Sequence, residues 1–153
     1  MKKIYNFSAG PGTLPQDALD ATSHAVLDYE NNGMSILEMS HRSQPIVDLM
    51  NNTTDLAREL LSVPDNFHIL WLQGGASTQF SMIPMNLLSN DQTADYTDTG
   101  LWAAKAINEA KEFCKVNVAS STKESIYNHI YKDLDQTPNA TYLHITSNNT
   151  IYG

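Results

Sequence analysis

The sequence predicts an α/β fold, a mostly parallel sheet covered by helices. From residue 67 onward, short strand-like runs alternate with longer helix-like runs, the order that gives parallel strands joined by crossover helices. Two adjacent glycines, Gly74 and Gly75, stand between the first strand-like run and the helix-like run that follows it. The composition, 41% hydrophobic and 17% charged over 153 residues, is that of an ordinary globular domain large enough to bury a core.

Residues 1–12 read as an irregular arm ending in Ser8-Ala9-Gly10-Pro11-Gly12. Residues 13–63 read as a helical segment. Its first helix opens with Thr13 and Gln16 at capping-box spacing and Pro15 in the first turn. Ala18, Ala21, Ala25 and Tyr29 then repeat at helical spacing until Asn31-Asn32-Gly33 stops the run. A connector, Met34 to Arg42, leads to a second helix with Ile46, Leu49, Met50, Thr53, Leu56 and Leu60 along one face, and Pro64-Asp65-Asn66 closes the segment. Residues 64–153 read as the first part of an α/β domain. Phe67 to Leu72 is a strand candidate, Ser77 to Leu88 a helix, and Ala94-Asp95-Tyr96 a short strand. A helix opens after Asp98-Thr99-Gly100 with Ala103, Ile107, Ala110 and Cys114 on one face. Lys115–Ala119 and Ala140–Thr146 are further strand candidates, and the polar stretch between them is a surface loop holding no more than a helical turn. The chain stops just past a strand, where ligands bind in open α/β sheets, so it looks cut at its C-terminus.

A formal charge of −8 and a pI near 4.8 argue against a nucleic-acid-binding surface. No apolar run is long enough for a membrane helix, and the N-terminus lacks the apolar core of a signal peptide, so no membrane partner is expected. Cys114 is the only cysteine and excludes a disulfide framework. These points favour the cytoplasm, where a sequon such as Asn139-Ala140-Thr141 carries no meaning.

The segment Gly74-Gly75-Ala76-Ser77-Thr78 has the form of a phosphate cradle. The glycines let the backbone turn sharply, the helix start aims unpaired N–H groups and its positive dipole end at one point, and two hydroxyls add donors. Many α/β proteins use such a turn for packing alone, and both readings stand at this level. Arg42, preceded by His41, is suited to grip a carboxylate or phosphate through paired hydrogen bonds, or is a plain surface arginine. Trp102 is either core packing or a platform that stacks on an aromatic ligand. Thr150 either offers its hydroxyl to a ligand or sits in an ordinary turn. His24, His68, His129 and His144 show no metal spacing, with His68 and His144 in strand-like runs that suit core or sheet-face positions. Cys114 is expected to be inert among apolar neighbours.

Taken in order, Asn6-Phe7-Ser8-Ala9-Gly10-Pro11, Ser40-His41-Arg42, Gly74 through Phe80, Ala94-Asp95-Tyr96, Thr99-Gly100-Leu101-Trp102-Ala103 and Asn148 through Gly153 resemble the phosphoserine aminotransferases, within the pyridoxal-phosphate aminotransferases of the aspartate-aminotransferase fold. The resemblance runs through essentially the whole chain. It implies the first part of the large, cofactor-binding domain of a fold-type-I enzyme, and a homodimer whose active sites draw on both subunits. It implies that Ala76 and Ser77 bind the phosphate of pyridoxal 5'-phosphate, that Trp102 stacks on its pyridine ring, and that Thr150 bonds near its phenolic oxygen. Arg42, with His41 beside it, would bind the acidic substrate, in its own subunit's site or the partner's. The implied reaction exchanges an amino group between glutamate and 3-phosphohydroxypyruvate, giving O-phosphoserine and 2-oxoglutarate, in serine biosynthesis and, with a related substrate, in pyridoxine synthesis.

The family departs from this chain in length. Its covalent cofactor lysine and the acid that keeps the pyridine nitrogen protonated lie beyond the segment matched, and Lys2, Lys3, Lys105, Lys111, Lys115, Lys123 and Lys132 match no such motif. No catalytic residue is therefore assigned, and these 153 residues are not expected to transaminate alone. The alternative is a non-catalytic module that keeps the cradle to bind a phosphorylated ligand or a partner.

Overall fold

A computed structural model describes residues 4–152. It comprises two compact units, the first ending at Leu70 and the second beginning at Trp71. In the first, α1 spans Gln16–Leu27 and α2 spans Gln44–Leu60, separated by two short 3-10 turns, Tyr29–Asn31 and Ile36–Glu38. The capping box expected at Thr13 and Gln16 does not form. The Thr13 hydroxyl donates back to the carbonyl of Asn6 at 2.7 Å and Gln16 donates to Asp20, because the helix begins at Gln16 and Thr13 lies too far out to cap it. A capping box forms instead in the connector, where Ser35 accepts from the Leu37 N–H and Glu38 accepts from the Ser35 N–H. Helix α1 stops at Leu27, earlier than its apolar repeat suggests, with Asp28 accepting from the Gly33 N–H across the turn.

The apolar stripe of α2 is real but stays open within this unit: Leu56 is 55% and Leu60 74% exposed, and neither helix has a fully buried residue. Past α2, the Arg58 guanidinium donates to the carbonyls of Val63, Pro64 and Phe67, fixing the chain by bonds that burial alone would not supply.

The second unit holds a parallel three-stranded sheet, β1 (Thr93–Asp98), β2 (Lys115–Ser121) and β3 (Leu143–His144), in the order β2-β1-β3. Helix α3 covers Gly75–Leu87 and α4 covers Leu101–Ala110. Central strand β1 is buried from Ala94 to Asp98. Alanines 103, 106 and 110 and Ile107 face the sheet from α4, and Ala94, Tyr96, Ala106, Ile107 and Ala110 form the core with Phe80, Leu88, Cys114, Val116 and Tyr142 against it. Cys114 thus packs as expected, past the helix end rather than within it, donating to the Ala110 carbonyl. Burial pushes its thiol up from the ordinary value, which keeps it protonated and unreactive.

Two strand expectations change. Residues 67–72 are not a strand of the sheet, which among the described residues consists of β1, β2 and β3 alone; Phe67 instead sits in a bend, its carbonyl accepting from Arg58. The expected strand 140–146 shrinks to Leu143–His144, with single bonds from Thr141 to Thr93 and from Asp95 to Tyr142 beside it. The loop after β2 carries one 3-10 turn, Lys123–Ser125. Among the described residues, no helix is long and apolar enough to cross a membrane.

Candidate functional site

The Gly74-Gly75 turn adopts the left-handed backbone that glycine permits, with φ of +92° and +57°. At Gly74 the requirement is also steric. A Cβ there would stand 1.8 Å from the Thr78 hydroxyl oxygen, so the turn and the first helical residues are packed face to face. The first bond of α3 runs from the Thr78 N–H to the Gly74 carbonyl at 3.3 Å, and the N–H groups of Gly75, Ala76 and Ser77 lie ahead of it at the helix mouth.

Ser77, Trp102 and Thr150 come together at this mouth. The Lys105 ammonium donates to the Ser77 hydroxyl at 3.0 Å and lies 5.5 Å from the centre of the Trp102 ring. The indole N–H of Trp102 donates to the Thr150 hydroxyl at 3.0 Å. Residues 28 and 48 positions apart in sequence are therefore joined side chain to side chain. Trp102 is half-buried, whereas Ser77, Lys105 and Thr150 are exposed. The indole is thus neither sealed in the core nor free.

Asn149 holds this arrangement from below. It is only 6% exposed; its side-chain carbonyl accepts from the Ala103 N–H at 3.4 Å and its amide donates to the Thr99 hydroxyl at 3.0 Å. Gly100 leaves room for it, since a Cβ there would come within 2.5 Å of the Asn149 side chain. The start of α4, and with it Trp102, is thereby pinned beside Thr150. Beyond Thr99 a cavity of about 350 Å³ opens among Tyr127, His129, Thr146 and Tyr152. Burial first, and the Asp98 carboxylate next, push the Tyr127 phenol up from 10.0, so it stays a neutral donor beside this space.

Arg42 and His41 belong to the first unit, exposed on the turn before α2, where the Arg42 N–H donates to the Ser40 hydroxyl. His144 stacks on Tyr96 at 4.9 Å and meets Phe80 edge-on, the packed sheet position its sequence context suggests. Among the described residues, no group of three or more His, Cys, Asp or Glu is placed to hold a metal.

The donor set suits a phosphorylated aromatic ligand: backbone N–H groups, a serine hydroxyl and an ammonium for the anion, an indole face for a ring, and a threonine hydroxyl at the other side. Two contributors escaped sequence reasoning. The usable signal for Lys105 is its spacing: it follows Trp102 by three positions on one helix and so shares its face. Asn149 had no local signal, because its role depends on Thr99 and Ala103 far along the chain.

The Aminotransferase class-V family model matches residues 4–153. The phosphoserine aminotransferase of Desulfatibacillum aliphaticivorans is 49% identical over 152 residues, which cover 99% of this chain and 42% of the relative. A solved phosphoserine aminotransferase, studied for radiation damage of its Schiff base, superposes with a TM-score of 0.91 at 44% identity, covering 100% of this chain and 43% of that one. The pyridoxal-phosphate-bound phosphoserine aminotransferase of Trichomonas vaginalis gives a TM-score of 0.81 at 34% identity, covering 92% and 40%. The chain thus spans about 42% of the length of the curated relatives it matches.

Proposed function

The chain belongs to the class-V aminotransferases, and from that premise we propose that it grips pyridoxal 5'-phosphate for phosphoserine transamination, exchanging an amino group between glutamate and 3-phosphohydroxypyruvate to give 2-oxoglutarate and O-phosphoserine. The observation that carries the reading is the contact chain Ser77–Lys105–Trp102–Thr150, which gathers three of the residues the resemblance assigns to the cofactor. In this reading the N–H groups of Ala76 and Ser77 and the Ser77 hydroxyl hold the phosphate. Trp102 orients the ring by stacking and is itself steered by its bond to Thr150, whose hydroxyl has a lone pair and a proton left for the ring substituent. When bound, pyridoxal phosphate supplies the electron sink that amino-group exchange requires. Arg42 and His41 bind the acidic substrate, and the working assembly is a cytoplasmic homodimer with residues 64–153 as the first part of the cofactor domain. This chain's own lysines do not anchor the cofactor, so the 153 residues bind it without turning over.

Titration with pyridoxal 5'-phosphate, borohydride reduction and peptide mass mapping test the reading. The expected outcome is phosphate-dependent binding that quenches tryptophan emission, no single lysine labelled stoichiometrically, and no 2-oxoglutarate-dependent loss of O-phosphoserine. Equal affinity for pyridoxal and its phosphate would remove the cradle from the argument. Binding of simple phosphate esters with no preference for the pyridine ring would favour a non-catalytic phosphate-binding module.

A further inference from the structure

We propose that Lys105 is the cationic member of the phosphate cradle, the residue that supplies the full positive charge a phosphate monoester needs; this rests on the reading of the Gly74–Ser77 turn as the cofactor-phosphate site. A phosphate ester carries about −1.5 to −2 charges at neutral pH. The mouth of α3 offers about half a positive charge from its dipole. The side chains of the turn are neutral: Ser77 contributes a hydroxyl, and the Thr78 hydroxyl is packed against Gly74. The chain as a whole carries −8, so its long-range field repels an anion.

Lys105 answers that deficit from the neighbouring helix. Its ammonium is already hydrogen-bonded to the Ser77 hydroxyl at 3.0 Å, at the level where α3 presents its free N–H groups. Its other contact is the Trp102 ring at 5.5 Å, an attraction that leaves the charge unneutralised. Glu109, one turn further along α4 and able by spacing to reach it, bonds to Ser81 instead. The cation therefore touches both the ring platform and the hydroxyl that would hold the phosphate. Leaving the Ser77 oxygen for a phosphate oxygen would exchange a neutral acceptor for an oppositely charged one, adding ion-pair attraction to the hydrogen bond.

The test uses pyridoxine 5'-phosphate, which has no aldehyde and cannot condense with surface amines, beside unphosphorylated pyridoxine, both by titration calorimetry at two salt concentrations. The wild-type chain should bind the phosphate form more tightly, and less so at high salt. Lys105→Gln should weaken pyridoxine 5'-phosphate about tenfold or more and flatten the salt dependence, while pyridoxine itself changes by less than about twofold. Lys105→Arg should restore most of the loss, since a guanidinium also pairs with phosphate. Lys105→Gln binding the phosphate form as wild type does, in a wild type that discriminates, overturns this inference alone. An equal loss for both ligands also overturns it, because Lys105 would then act through the Trp102 platform. A wild-type chain that does not distinguish the two ligands overturns both this inference and the cofactor-phosphate reading beneath it.

Discussion

Gly74 and Gly75 share a left-handed backbone yet differ in surroundings, and the difference separates two costs that glycine substitutions usually mix. Gly75 has nothing within 4 Å of a built Cβ, so Gly75→Ala should lose only the backbone term, about 1 kcal/mol. Gly74→Ala adds a collision with Thr78 at 1.8 Å and should cost clearly more, about 2–3 kcal/mol, by urea unfolding. Equal losses at the two positions would mean the turn relaxes freely and does not hold the helix mouth in place. Asp95 is the deepest carboxylate of the sheet, 1% exposed, and it accepts from Asn117 at 3.0 Å and from the Thr137 N–H at 2.8 Å. Asp95→Ala strips both donors of their acceptor and should destabilise by about 3 kcal/mol in the same measurement. At this scale the cradle was legible because two glycines before a helix constrain the backbone locally. The Asp95 pairing was not, since its partners are 22 and 42 residues away.

At the scale of elements, the clasp between Asn149 and the start of α4 makes a coupled prediction. Gly100→Ala pushes a Cβ to 2.5 Å from the Asn149 side-chain carbon, and Asn149→Ala removes that carbon together with the bonds to Thr99 and Ala103. Each single change should lower stability by about 1–3 kcal/mol, and the double variant should fall short of their sum by at least about 0.5 kcal/mol in thermal unfolding. Strict additivity would mean that the two residues do not press on one another. Strand β3 carries the pH response. Burial pushes His144 below its ordinary 6.5, so the folded chain resists a proton that the unfolded chain accepts. The unfolded state then binds more protons, and stability should fall as pH drops below about 6.5, levelling off once the folded residue also protonates. His144→Phe should flatten that slope in unfolding curves between pH 7 and 5. Helices α2, α3 and α4 could be read from their apolar spacing, because a helix satisfies its backbone from within. The strand candidates 67–72 and most of 140–146 could not: they have strand chemistry, but whether a run joins a sheet is set by distant chain and not by its own residues.

For the molecule as a whole, large apolar side chains remain open, among them Phe7 at 93% and Ile130 at 76% exposure, along with the outer stripe of α2. A chain with this surface should self-associate, with a light-scattering mass that rises with concentration, and a stable monomer at moderate concentration would count against that. The parallel α/β character was legible because it needs only the alternation of element types. Where Arg42 and His41 act was not, since a family pattern names the residues without the assembly that brings them to a ligand. The Asn149 clasp, finally, has a meaning in time. Helix α4 leaves the ribosome well before residue 149, and the helix lacks the partner for its Ala103 amide until then. Because that partner comes 46 residues later, the Trp102 platform cannot settle during synthesis until residue 149 has emerged. The amides at the start of α4 then become a clock: their protection from hydrogen exchange dates the moment at which the nascent site becomes able to receive a ring.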